Sequence, residues 1–69
     1  MITNEQLLEV LLRLKDDGVS YKYIANLSNI QYDTFYFYRR CKRFPLEARI
    51  IIEEAIRDKF KEYLDEYTK

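Results

Sequence analysis

Apolar residues recur at helical spacing from the start of the chain. Leu7, Leu11 and Leu14, with Leu8 and Leu12 beside them, make the apolar stripe of a helix. Thr3 followed by Gln6 is a capping box, and Ile2 and Leu7 take the two positions of a hydrophobic staple. Gly18 supplies the stop, so the pattern predicts a first helix over residues 4–17. Asp16 and Asp17 then sit at the negative end of its dipole, where electrostatics gives no reason for them.

The second helix, residues 21–28, starts in the same way. Ser20 is its cap, Val19 and Ile24 form a second staple, and Ile24, Ala25 and Leu27 are its apolar positions. Asn29 follows where the chain must turn, and Asn is the best residue after Gly for a left-handed backbone. The aromatic run from Tyr32 to Tyr38 favours sheet by propensity. No second strand-like run exists to pair with it, and Ile30, Phe35 and Tyr38 suit a helix packed on the second one. The third helix is therefore placed at 32–41. Pro45 fits a first helical position, with Glu47 in the favourable first turn. No breaker follows before Thr68, which predicts a fourth helix over 45–67, about 34 Å long at the usual rise per residue. Ile52, Ile56, Phe60, Tyr63 and Tyr67 line one stripe of it, while Ile51 and Ala55 on another side suggest that its first half buries two faces.

The expected fold is all-α: one four-helix domain over residues 1–69, with a long C-terminal helix. Composition agrees. The 69 residues are 48% hydrophobic with one Gly and one Pro, too apolar for disorder and too poor in turn residues for an all-β domain. A chain of this size buries only about 60% of its unfolded surface, so stability is marginal.

The sequence offers little chemistry. It has no His, no Cys pair for zinc, no Gly-rich phosphate loop and no H-E-x-x-H. A protein that is not an enzyme, with no metal and no cofactor, is expected. The lone Cys41 permits no intrachain disulfide and reads as a small packing residue. No apolar run approaches the roughly 20 residues of a membrane span, and no signal peptide precedes the charged start, so a cytoplasmic protein without membrane contact is expected.

Net charge is zero, but its distribution is uneven. Residues 21–49 carry Lys22, Arg39, Arg40, Lys42, Arg43 and Arg49 against Asp33 and Glu47, a local +4. The segments on either side are each at −2. A local basic face is what phosphate contacts need, and a neutral total can hide it.

The stretch from Gly18 to Arg40 resembles a helix-turn-helix. Ile24-Ala25, then Leu27-Ser28-Asn29-Ile30, then Thr34-Phe35 follow the order of the lambda-repressor and Cro-like class. Ala25 is the small residue at a close helix crossing, and Asn29 takes the turn slot that is usually Gly. Thr34 to Tyr38 is also similar to the recognition helix of tetracycline-repressor-type regulators and of resolvase-type domains. Gln31 departs from the pattern, being a poor N-cap where the class has Ser or Thr.

The resemblance implies a sequence-specific regulator of transcription, of phage or plasmid type, binding double-stranded DNA. The third helix would enter the major groove. Gln31, Tyr32, Asp33, Tyr36, Phe37 and Arg40 would read bases, and Tyr21, Lys22, Arg39, Lys42 and Arg43 would contact phosphates. Ile56, Phe60, Tyr63, Leu64 and Tyr67 continue the apolar stripe beyond what three short helices can cover. They are therefore expected to form a homodimer interface, giving two half-sites about 34 Å apart. The alternative is a protein-binding module or inhibitor that docks the same aromatic helix surface on a protein partner. A small helical bundle without that role remains the third possibility.

Overall fold

In a computed structural model, which describes residues 1–67, the chain is all-helical. Helix α1 spans Asn4–Asp16, α2 Tyr21–Leu27, α3 Tyr32–Cys41, α4 Leu46–Phe60 and α5 Glu62–Asp65. The first three lie where the apolar spacing puts them, and Pro45 is the N-cap of α4 rather than its first helical residue. Both starts read from the sequence form. Thr3 Oγ1 accepts from Gln6 N at 3.1 Å while Gln6 Oε1 accepts from Thr3 N at 2.9 Å. Ser20 Oγ accepts from Tyr23 N at 3.1 Å. Helix α3 starts at Gln31 with no side-chain cap.

The stops share one device, a left-handed residue that turns the next N–H back onto the helix. After α1, Gly18 (φ 94°) lets Val19 N donate to the Leu14 carbonyl at 2.9 Å. After α2, Asn29 (φ 57°) lets Ile30 N donate to the Ala25 carbonyl at 3.0 Å. After α3, Lys42 (φ 58°) lets Arg43 N donate to the Tyr38 carbonyl at 3.1 Å. In each case the left-handed residue's own N–H reaches the carbonyl three residues back, which completes a Schellman motif. Gly and Asn announce the first two motifs; Lys42 has no such signal.

The core is built from Leu7, Val10, Leu11 and Leu14 of α1, Ile24 and Ala25 of α2, Phe35 of α3, Ile52 and Ile56 of α4, and Leu64 of α5. Phe44, in the loop after α3, is also buried, its ring 5.6 Å from Phe35 and 5.8 Å from Tyr38. Leu12 lies outside the stripe and is exposed, and Val10 takes the inward place. Leu46, Ile50 and Ile51 are exposed too, so the first half of α4 buries one face rather than two.

The long fourth helix does not form as one rod. A straight helix over 45–67 would exceed the molecule's longest extent, 31 Å. The chain breaks at Lys61, whose carbonyl accepts from Leu64 N at 2.9 Å in a tightened turn, and α5 lies against α1. Three side-chain links hold it there. Tyr63 donates its hydroxyl to Asp17, Tyr67 donates to Glu9 at 2.9 Å, and Arg13 pairs with Glu66 at 2.7 Å. Asp17 thus has a purpose that the dipole argument did not supply. Thr68, the expected stop, lies outside the described residues.

This packing corrects the expected dimer surface. Ile56 and Leu64 are fully buried within one chain, and Phe60, Tyr63 and Tyr67 pack against the same core. Helix α1 covers Ile56 and Leu64, while Phe60, Tyr63 and Tyr67 keep part of their surface exposed.

Candidate nucleic-acid interface

Helix α3 puts one side chain, Phe35, fully into the core, while Thr34, Tyr38 and Arg39 are half-buried at its flanks. The remaining positions face outward by the 3.6-residue period. Tyr32, Asp33, Tyr36, Phe37 and Arg40 are all exposed, as is Gln31 before them. Phe37, at 58% exposure, is the most open aromatic residue on the helix. Tyr32 and Tyr36, one turn apart, have ring centroids 6.1 Å apart and form one aromatic ledge. Five of the expected base-reading residues therefore share one solvent-facing surface of α3, and Gln31 is exposed immediately before it.

The cations flank this surface. Lys22, at the start of α2, is exposed, and so are Lys42 and Arg43 immediately past α3. Among the described residues the ion pairs are Arg13–Glu66 and Arg57–Glu53, and neither involves these cations. Arg39 is held differently. Its guanidinium carbon lies 5.0 Å from the Tyr21 ring centroid, a cation–π contact that limits its rotamers.

Tyr21 is the exception among the expected phosphate contacts. It is 8% exposed, its ring stands 6.2 Å from Phe35, and its hydroxyl is buried without a hydrogen-bond partner among the described residues. At the first position of a helix a Tyr reads as a surface donor. Here its apolar body fills the wedge between α2 and α3 instead. Tyr21 supports Arg39 and Lys15 (Nζ 5.0 Å from its ring centroid) and does not reach solvent.

Two features escaped the sequence reading. Asn4 fixes the α3–α4 loop by donating to the Lys42 carbonyl at 2.9 Å and accepting from Phe44 N at 2.8 Å. Arg49 of α4 lies beside that loop, in a cleft with Lys42 and Arg43. Its membership of the basic middle segment was the only signal in the sequence. Cys41 is exposed rather than packed. Among the described residues no cluster of three or more His, Cys, Asp or Glu side chains could hold a metal ion, and no helix is long and apolar enough to cross a membrane.

Compared with known proteins, the chain matches no family model, no curated protein and no solved structure.

Proposed function

We propose that the protein binds double-stranded DNA as a cytoplasmic, non-catalytic regulator of transcription, with α3 in the major groove. The observation that carries this reading is the outward face of α3. Tyr32, Asp33, Tyr36, Phe37 and Arg40 stand on it together, with Gln31 exposed just before them and with Lys22, Arg39, Lys42 and Arg43 nearby in the chain or fold, none of which has an ion-pair partner among the described residues. Cations left without carboxylates beside an exposed helix are suited to phosphates, and the side chains between them are suited to base edges. Gln pairs with adenine, Arg with guanine, and aromatic faces meet thymine methyl groups. Two copies reading a two-fold site would have to pair without Ile56 and Leu64, which are buried within one chain.

Selection of bound sequences from a random duplex pool tests this function. The reading requires an enriched motif, and Gln31→Ala and Tyr36→Ala must change the preferred bases while leaving the helicity intact. A pool that stays random through selection contradicts it.

One observation favours a second reading, docking on a protein. Phe37 borders a mostly apolar cleft of about 430 Å³ that it shares with Tyr38, Cys41, Arg43 and Pro45. That reading predicts no enrichment from the duplex pool.

A further inference from the structure

A second cleft, of about 480 Å³, opens where the N-terminal segment meets the α3–α4 loop. Its walls include Ile2, Asn4 and Phe44, and Lys42, Arg43 and Arg49 bring three cations to it, against one carboxylate, Glu5. None of the four charged groups has an ion-pair partner among the described residues. Glu53, one turn along α4 from Arg49, is already engaged: it accepts from Ile2 N at 3.0 Å and from Arg57 at 2.6 Å. Arg49 is half-buried, and its Nε is fully buried with no hydrogen-bond partner. A buried donor on a charged group is expensive to leave unmet.

We propose that this cleft is a seat for a phosphate group, and that a backbone phosphate of the bound duplex occupies it. The occupant rests on the DNA reading above; the seat itself does not. Three observations support the seat. The cations outnumber the carboxylates three to one in a partly enclosed space, where charge is screened less than on open surface. Arg offers a planar fork of N–H donors that matches phosphate oxygens. The wall is fixed in advance, because Asn4 holds both the Lys42 carbonyl and the Phe44 N–H, and the left-handed Lys42 sets where the loop leaves α3. The seat begins at the residue after α3 ends, so a strand whose bases meet α3 would pass its phosphates across it.

The test uses pyrophosphate and a duplex on the wild type, Arg49→Gln and Arg49→Lys, with helicity checked by circular dichroism. Pyrophosphate is expected to shift the Arg49 Nε–H resonance and the Lys42 and Arg43 amides saturably in the wild type, and to leave the two amides unshifted in Arg49→Gln. Arg49→Gln is expected to weaken duplex binding about 3- to 10-fold and to lower the salt slope by about one unit, with Arg49→Lys recovering the slope. Saturable pyrophosphate shifts in a protein that binds no duplex would uphold the seat and overturn its occupant, leaving a free phosphate-bearing molecule. Duplex binding that is unchanged in folded Arg49→Gln, with no pyrophosphate shift in the wild type, would overturn the seat while the DNA reading stands.

Discussion

Asn4 holds Phe44 across the molecule, its Oδ1 accepting from the Phe44 backbone N–H at 2.8 Å. The same side chain donates to the Lys42 carbonyl at 2.9 Å, so one residue at the start of α1 fixes the loop that ends α3. Asn4→Asp keeps the shape but sets an oxygen against the Lys42 carbonyl. Asn4→Ala leaves the Phe44 N–H unmet in a part-buried position. Each is expected to lower stability by about 1–3 kcal/mol, several degrees of thermal midpoint in a domain of this size. A midpoint within a degree of wild type for both variants would show that the loop holds itself.

Tyr21→Phe separates a supporting role from a contact role. It removes a buried hydroxyl that has no partner and keeps the ring under Arg39 and Lys15. Stability is expected to stay level or rise by about 1 kcal/mol. Duplex affinity is expected to be unchanged. A fall in affinity with stability preserved would return Tyr21 to the phosphate contacts.

Lys42→Gly sets stability against binding at one position. A left-handed backbone at a residue with a Cβ is costly, and Gly relieves it at the price of chain entropy. A net gain of about 0.5–1 kcal/mol is expected, read as a higher melting temperature. The variant also loses a cation, so duplex binding is expected to weaken and its salt slope to fall by about one unit. A variant that melts lower would show that the Lys42 side chain stabilises the loop.

The contrast between these positions shows what the sequence could reveal. Thr3 with Gln6, Ser20, Gly18 and Asn29 are residue types whose local chemistry decides the backbone, and the helices they bound fell within a residue or two of expectation. The outward face of α3 was legible because Phe35 fixes the helix phase. Lys42 and Tyr21 were not, since tertiary packing rather than residue type decides the conformation of the one and the burial of the other. The C-terminal stripe was legible as apolar, but its partner was not: spacing along one helix cannot say whether α1 or a second chain covers it.

The links between α5 and α1 make stability fall at alkaline pH. The hydrogen bond that Tyr63 donates to Asp17, with burial second, raises the pKa of its phenol. For Tyr67 burial comes first and the bond to Glu9 second, in the same direction. Groups whose folded pKa lies above the unfolded value of about 10 stabilise fully below that value and cease to do so as pH rises through the folded one. The melting temperature is therefore expected to be flat with respect to these groups up to about pH 9 and to fall above about pH 10. The double variant Tyr63→Phe, Tyr67→Phe is expected to melt lower at neutral pH and to lose much of this alkaline fall. Equal alkaline slopes in the two proteins would place the pH dependence elsewhere.

The salt dependence of duplex binding tests the central claim most directly. Each phosphate neutralised contributes about 0.9 to the slope of log affinity against log salt concentration. With Lys22, Arg39, Lys42 and Arg43 around α3 and Arg49 beside them, the wild type is expected to show a slope of about −3 to −5, reduced by about one in Arg43→Ala. A slope near zero in the wild type, or no duplex binding at low salt, would contradict DNA recognition by this helix.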